Sequence, residues 1–401
     1  MAQSREAEEI SLNRRPFRQT RASWPAHLAR GAVTMRVLMT VEAPGRLWQY
    51  GVDLARGLAR LGIETVLVVL GQPPSERERG LAEQVPGLKI VETGLAIDWA
   101  ASDCRSLVAA AREVARLAHD CRADLVQLNT PGLAALARFP VPVILVHHQC
   151  VATRWEAVHG SEFPVEHGWR REIVRNGLDA ADIVVAPTFA FGDAMRRCYD
   201  LAEPPRIVHY GRAPLVPRPG AMHDFAFTAG RLWDEGKNLG TLDAAAGALG
   251  VPLRAAGCVD GPNGAVLFDN IHCLGALDQE ELGRWLAARP VFVSAALYEP
   301  FGLSVLDAAA AGCPLILSDI PAFRELWNGV ALFVPPHDEC AYTETISALV
   351  GDDFERAVLG RGARERAARF TPDAMAAQMA SLYRSLLPAI RRPVLAAARA
   401  A

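Results

Sequence analysis

The chain has 401 residues, 51% of them hydrophobic and 22% charged, with a formal net charge of −3 and a pI near 6.4. That length suggests two or three domains with ample core, and the near-neutral balance argues against an overall basic nucleic-acid binder. No run of 18 apolar residues occurs, so no membrane span is expected, and eight scattered cysteines lack a C-x-x-C pair; several sit in apolar context and read as buried thiols of a reducing cytoplasm rather than a zinc site. Residues 1–34 are rich in Arg and lack apolar periodicity or a signal-peptide core. They read as a mobile tail or as sequence upstream of a true start at Met35, with a basic arm touching a membrane as the alternative.

The first domain is expected over 35–212. Arg36–Val41 is a buried strand, Glu42–Gly51 a loop, Val52–Leu61 a helix with Leu54, Leu58 and Leu61 on one face, and Ile63–Leu70 the second strand. That order makes a right-handed crossover unit of a parallel sheet. It is not a dinucleotide fingerprint, because no G-x-G-x-x-G is present. Alternating elements follow: a strand at Lys89–Glu92, a helix at Cys104–Cys121, and strands at Asp124–Leu128 and Val143–Val146, the last ending at His147-His148. Ligands of such sheets bind at the C-terminal strand ends, which places one of these two histidines where a substrate hydroxyl could meet it. Period-two alternation allows only one of them to face the cleft. Val151–Arg175, rich in Trp, His and Arg, reads as an acceptor-facing loop and helix or as a surface helix whose Trp155 and Trp169 pack on the core. Asp182–Ala186 is a strand, Phe189–Tyr199 a helix, and Arg206–His209 the last strand.

Residues 213–223 hold three Pro and one Gly and read as an interdomain linker. A second domain is expected over 224–371. It opens with a strand, a loop carrying Gly230-Arg231 and Lys237-Asn238, and a helix. Arg offers a planar fork of donors and Lys a point charge, and both suit a diphosphate. Leu253–Ala256 and Ile271–Leu274 are strands and Gln279–Ala287 a helix. Pro290–Pro321 then reads as strand, loop, helix Phe301–Ala311 closed by Gly312, and strand Cys313–Leu317. Its polar exceptions are Glu299, before the helix, and Asp307 inside it. The amides of Phe301, Gly302 and Leu303 at the helix start lack intrahelical partners and favour an anion. Two carboxylates beside an anion hole suit a ligand with hydroxyls and phosphates, such as a nucleotide sugar; the plainer alternative is a loop acid and a helix-surface acid. Ala331–Val334 is a strand and Ala341–Leu349 a helix. Thr371–Leu387 is a final helix with Thr371 as N-cap and Pro372 in the first turn.

The E-P-F-G-L run with Asp307 eight residues after Glu299 resembles the signature of retaining glycosyltransferases of family 4. Gly230-Arg231 and Lys237-Asn238 resemble that family's phosphate-binding segment. The resemblance extends over roughly residues 35–387 and is more specific in its second half. It implies an α/β GT-B fold: two Rossmann-like, doubly wound parallel-sheet domains facing across a cleft, with residues 372–390 as a helix crossing back to the first domain. The implied activity is transfer of a hexosyl group from a UDP- or GDP-sugar to an acceptor hydroxyl with retention, in the cytoplasm, without metal or other cofactor. The resemblance gives catalytic roles to His148, Glu299, Arg231 and Lys237. It gives donor contacts to Gly45, Gly230, Arg231, Lys237, Leu274, Glu299, Phe301, Gly302, Leu303 and Asp307. Acceptor contacts are expected from Arg46, Trp48, Arg154 and Trp155. The expected acceptor is a small molecule, lipid or saccharide; neither nucleic acid nor a membrane span is expected. This sequence departs from the family pattern with Arg46 for a glycine, Tyr210 for an asparagine and Asp307 for a glutamate. A sugar phosphorylase or a non-catalytic nucleotide-sugar-binding protein on the same fold is the alternative.

Overall fold

The computed structural model describes residues 35–387 apart from 44, 99–100, 102–103, 162, 165–167, 217–219 and 263, together with all side chains in that span except that of Arg46. The expected N-terminal tail, part of the expected linker and the last residues of the expected closing helix lie outside the described residues.

Two parallel sheets carry the fold. The first uses β1 (Met35–Ala43), β2 (Ile63–Gly71), β3 (Leu88–Glu92), β4 (Leu125–Leu128), β5 (Val143–Val146), β6 (Ile183–Ala186) and β7 (Arg206–Ile207), in the order β3-β2-β1-β4-β5-β6-β7. The second is built from β8 (Ala226–Ala229) and β9 (Leu253–Ala256), then, past a small antiparallel hairpin of β10 (Asp260–Gly261) and β11 (Gly264–Ala265), from β12 (His272–Cys273), β13 (Val291–Ser294), β14 (Leu315–Ser318) and β15 (Leu332–Val334). Its order is β12-β9-β8-β13-β14-β15. The central strands β1, β2, β4, β5, β8, β13 and β14 are almost wholly buried Val, Leu, Ile, Met, Phe and Ala, the near-continuous apolar text of strands covered on both faces. Each sheet reverses direction of travel once, between β1 and β4 and between β8 and β13, and ligands of open α/β sheets bind beyond the strand ends at such switch points. The chain segments leaving those four strands supply Gly45, Asn129, Arg231 and Glu299.

Several boundaries differ from the sequence reading. Glu42–Gly51 is not a long loop: the helix starts at Arg46 and runs to Arg60. Gly51 lies inside it because a Cβ there would come within 2.6 Å of Val41 Cγ1, so a glycine lets this helix lie against β1. The helix after Glu299 starts at Leu303, two residues later than read, because Gly302 stands at its N-cap with φ 88°. Helices at Glu76–Glu83, Pro131–Leu136, Pro321–Trp327 and Asp353–Ala367 were not foreseen. Among the cysteines Cys121, Cys150 and Cys313 are buried thiols, Cys198 is half-buried, and Cys104, Cys258, Cys273 and Cys340 are exposed.

Helix Pro372–Leu386 is capped by Thr371, whose Oγ1 accepts from the Ala374 amide at 3.1 Å. It packs on helix Arg46–Arg60 of the first half, where Arg60 pairs with Asp373 at 2.5 Å and the Gly57 surface meets Ala376. Close by, the Arg212 amide donates to the Phe370 carbonyl at 3.0 Å, and a Cβ on Gly211 would overlap the Thr371 carbonyl. No helix among the described residues is long and apolar enough to cross a membrane.

Candidate active site

A cleft cavity of about 350 Å³ lies between the two sheets. Gly45, His148 and Tyr210 from the first half and Arg231, Lys237, Glu299, Phe301, Gly302 and Leu303 from the second line it. Sequence-expected residues from both halves are thus brought together around one space.

Its C-terminal wall is the loop–helix unit after β13. Glu299 is 9% exposed, and its Oε2 pairs with Lys237 Nζ. Read along the chain these two residues have separate tasks, but 62 positions apart they form one partly buried ion pair at the cavity edge. Gly302 is in the left-handed region, where glycine carries no Cβ penalty. With it the first turn of Leu303–Ala311 points unpaired amides and the positive end of the helix dipole at the cavity. Phe301, 1% exposed, packs its ring 4.8 Å from that of Tyr210. Gly230 leaves β8 with its amide donating to Ala256, and its open Cα face meets the Lys237 stem.

Arg231 does not stand alone. Asp234 accepts from Arg231 Nη2 at 2.6 Å and from Arg154 Nη2 at 2.6 Å, and caps Gly236 at 3.0 Å. Burial pushes the Asp234 carboxyl upward, but the two guanidiniums outweigh it and hold the group down to about 2. Arg154 therefore bridges to the opposite half of the cleft rather than lining the cavity. Tyr298 adds a second bridge: its hydroxyl accepts from the Cys150 amide at 3.0 Å and lies 3.0 Å from Thr153 Oγ1. The Thr188 hydroxyl adds a third, donating to the Pro300 carbonyl at 2.8 Å.

Of the two histidines, His148 faces the cleft and His147 is 4% exposed. The Asn129 amide is oriented by its Nδ2, which donates to the Thr40 carbonyl at 2.6 Å. Its Oδ1 then accepts from His148 Nε2 at 2.9 Å and from Gln127 Nε2 at 3.1 Å. With the proton on Nε2, His148 Nδ1 accepts from the Tyr210 hydroxyl at 2.5 Å. Gln127 Oε1 in turn accepts from Tyr383 of the last helix. Burial first, and repulsion from His147 second, pull His148 down to about 3, so its imidazole is neutral near pH 7. A neutral, doubly bonded imidazole offers fixed hydrogen-bond geometry rather than charge.

Other expected residues lie elsewhere. Asp307 is neither at the surface nor on the cavity wall: it is 4% exposed and its Oδ2 pairs with Arg212 Nη1 at 2.8 Å. Trp48, expected at the acceptor, is 3% exposed in the core, because the segment that carries it is helix and turns the indole inward. The Trp155 ring packs 4.0 Å from that of His159, tilted by 45°, and its indole N–H donates to Ser161 at 3.2 Å, outside the cavity lining. The Leu274 amide is used in the sheet, donating to Ala255 at 2.8 Å. The side chain of Arg46 is outside the described set. Residues that the sequence reading missed are Asn129, Arg212, Asp234, Tyr298 and Glu325. Glu325 accepts from the Phe189 and Ala190 amides at 2.9 and 2.8 Å and from His209 at 3.3 Å; these donors hold its carboxyl low against the burial that opposes them. Asn129 was visible as the residue ending β4, and Arg212 as a lone cation at the end of the first half; their partners lie far away in sequence.

Comparison with known proteins now bears on this geometry. Residues 48–213 match the model described as Glycosyltransferase Family 4, and residues 226–352 match Glycosyl transferases group 1. The chain belongs to the family 4 type of glycosyltransferase. One relative, the D-inositol 3-phosphate glycosyltransferase of Thermobispora bispora, is 31% identical over 34% of this chain and 36% of its own length. Another, from Xylanimonas cellulosilytica, is 33% identical over 27% of this chain and 26% of its own. The chain thus spans only about a third or less of the length of these curated relatives. The sucrose-phosphate synthase structure from Thermosynechococcus elongatus superposes with a TM-score of 0.73 at 20% identity, covering 88% of this chain and 99% of that one. Anabaena Alr3699/HepE in complex with UDP and glucose gives 0.68 at 18%, covering 88% and 100%. At those identities the likeness concerns fold, and the fold is GT-B.

Proposed function

We propose that this glycosyltransferase moves a hexosyl group from a nucleoside diphosphate sugar to an acceptor hydroxyl with retention of configuration. The observation that carries the reading is the convergence of Arg231, Lys237, Glu299 and the Leu303 helix start on one cavity wall, opposite His148. The diphosphate lies against Arg231, Lys237 and the amides of the first turn, where charge-assisted bonds and the helix dipole favour it. Glu299 accepts from donor-sugar hydroxyls and aligns Lys237. In the transfer, the bond from the anomeric carbon to the diphosphate oxygen breaks and its electron pair leaves with the nucleoside diphosphate. The acceptor oxygen bonds to that carbon on the same face, and its proton passes to the departing phosphate oxygen. Electrostatic stabilisation of the leaving diphosphate is the main task, and Arg231, Lys237 and the helix start perform it without a metal cofactor. Neutral His148, held by Asn129 and Tyr210, shapes the wall opposite the donor and does not compete for the proton. Support for a UDP-sugar comes from the fold neighbour crystallised with UDP and glucose. The domains are assigned as 35–212 and 224–371, with the helix from 372 returning to the first.

The test is calorimetric titration with UDP, GDP and ADP, then product analysis by NMR with the sugar nucleotide whose diphosphate binds. Binding of one diphosphate and an anomer that matches the donor support the reading. An inverted anomer refutes retention, and no binding of any diphosphate refutes the site.

A further inference from the structure

Cys150, two positions after His148, is a nucleophile that sugar transfer leaves unused. It is 2% exposed and stands at the N-cap of helix Val151–His159. What its sulfur faces sets it apart from the other buried thiols. Cys121 and Cys313 donate to the Ala118 and Leu286 carbonyls at 3.6 Å each, and burial raises both. The Cys150 sulfur faces donors instead. The Thr153 amide of the first helical turn donates to it at 3.5 Å, and the Tyr199 hydroxyl lies 3.0 Å away. Cys198, one residue before Tyr199 on helix Phe189–Tyr199, meets it thiol to thiol, and the His147 imidazole lies against it. Burial pushes the Cys150 thiol up, but Cys198 first and His147 next outweigh it and hold it well below the ordinary thiol range. The proton of the pair stays on Cys198, whose thiol is raised by Cys150 beside it. Cys198 is half-buried, so the pair joins a shielded sulfur to one that solvent reaches.

We propose that Cys150 and Cys198 are a site of reversible oxidation, a dithiol that hydroperoxides convert to a disulfide, and that the new bond draws the start of helix Val151–His159 away from Tyr298 at the cleft. The step balances with hydrogen peroxide as oxidant. The Cys198 sulfur attacks one peroxide oxygen, the O–O bond breaks, and the released hydroxide takes the thiol proton and leaves as water. Cys198 is then a sulfenic acid. The Cys150 sulfur attacks the Cys198 sulfur, the S–S bond forms, and the S–O bond breaks to release a second hydroxide, which is protonated to water. The two sulfurs lose the electron pair that the peroxide gains. An S–S bond is about 2.05 Å long, much shorter than any contact between unbonded thiols, so one side must move. Helix Phe189–Tyr199 is held at its last turn, where Arg171 donates to the Cys198 carbonyl at 2.7 Å and Arg175 to the Tyr199 carbonyl. The Cys150 turn is tied to the cleft instead. Its amide donates to the Tyr298 hydroxyl at 3.0 Å, and Tyr298 directly precedes Glu299. Movement of Cys150 therefore loosens the bridge that Tyr298 makes to Cys150 and Thr153.

The experiment uses the full chain, hydrogen peroxide as oxidant and N-ethylmaleimide to block the thiols that remain. Peptide mass spectrometry is expected to find Cys150 linked to Cys198 with the loss of both thiol hydrogens, and dithiothreitol is expected to restore the two thiols. Cys198→Ser is expected to keep Cys150 a free thiol under the same treatment, and it carries the test where the buried Cys150→Ser variant does not fold. Folded Cys150→Ser is expected to accumulate a Cys198 sulfenic acid that dimedone traps. Equal trapping in the wild type would show that Cys150 does not resolve it. Hydrogen exchange at the amides of 150–154 is expected to speed up about tenfold on oxidation and to slow again on reduction. Oxidation confined to the exposed Cys104, Cys258, Cys273 and Cys340 refutes the site. A Cys150–Cys198 disulfide with unchanged exchange at 150–154 refutes the pull on the cleft. Neither readout needs a sugar nucleotide, so the outcome is independent of the donor.

Discussion

The pair Arg212–Asp307 offers the sharpest test of how the two halves are joined. The side chains are 13% and 5% exposed and their polar atoms are 2.8 Å apart, so the pair is largely removed from water. Removing one partner of such a pair leaves a buried charge uncompensated, at a cost of about 3–5 kcal/mol. Arg212 is also attracted to Asp53, so part of its charge stays balanced in Asp307→Asn. The lower end, about 3 kcal/mol, is expected for that variant. Arg212→Met leaves the Asp307 carboxylate without its guanidinium and should cost at least as much. The double variant should lose much less than the sum, with a coupling energy on the order of 2 kcal/mol. Urea unfolding midpoints at one ionic strength give the four corners of the cycle. Additive losses, or single variants within about 1 kcal/mol of wild type, would refute the buried pair. The same proteins decide what Asp307 does for ligand. If Asp307→Asn folds with normal affinity for every nucleoside diphosphate, the carboxylate acts as a joint and not as a ribose contact.

Lys237→Met and Arg231→Ala are each expected to weaken nucleoside diphosphate binding by about 1.5–3 kcal/mol in calorimetry, with unchanged affinity in both sinking the phosphate assignment. For His148, the folded-state value near 3 lies below the unfolded value near 6.5. Its contribution is therefore fully present above about pH 6.5 and is lost as pH falls toward 3, amounting to at most about 2 kcal/mol by pH 5. His148→Gln should flatten that part of the stability curve between pH 7 and 4; an unchanged slope would show that His148 titrates normally. Gly211→Ala must displace the Thr371 carbonyl, so a loss of about 1–3 kcal/mol is expected in urea unfolding, and wild-type stability would show that the two segments are not in contact.

Much of the framework was legible because buried parallel strands are written as short apolar runs. Val143–Val146 and Phe189–Tyr199 were placed with the bounds the structure has. The start of the first helix was not, because Gly45 offers no capping side chain and Gly51 interrupts the apolar period for a packing reason that lies in β1. At the site, residues on one loop or helix start, such as Glu299, Gly302 and Leu303, could be read from local order. Their partners could not. Asp234 joins Arg231 to Arg154 across 80 positions, and Arg212 meets Asp307 across 95. Spacing along a chain says which residues share a turn, but not which face meets which once two sheets close on each other.

The meeting of Gly211 with Thr371 has a mechanical consequence. The chain passes between the halves twice, and both passages touch at this one spot, held by the Arg212 amide on Phe370 and by the Gly211 amide on the Met375 sulfur. Helix Pro372–Leu386 is fastened to the first half by Asp373, Ala376 and Tyr383. A swing of one half against the other is therefore expected to turn about the contact of 211–212 with 370–371. Such a joint lets the halves rock and twist but not part. The distance from the pivot then sets how far each cleft residue travels: Phe301, packed beside it on Tyr210 and Phe370, hardly moves, and the bridge from Arg154 to Asp234 opens before the pivot side of the cleft does.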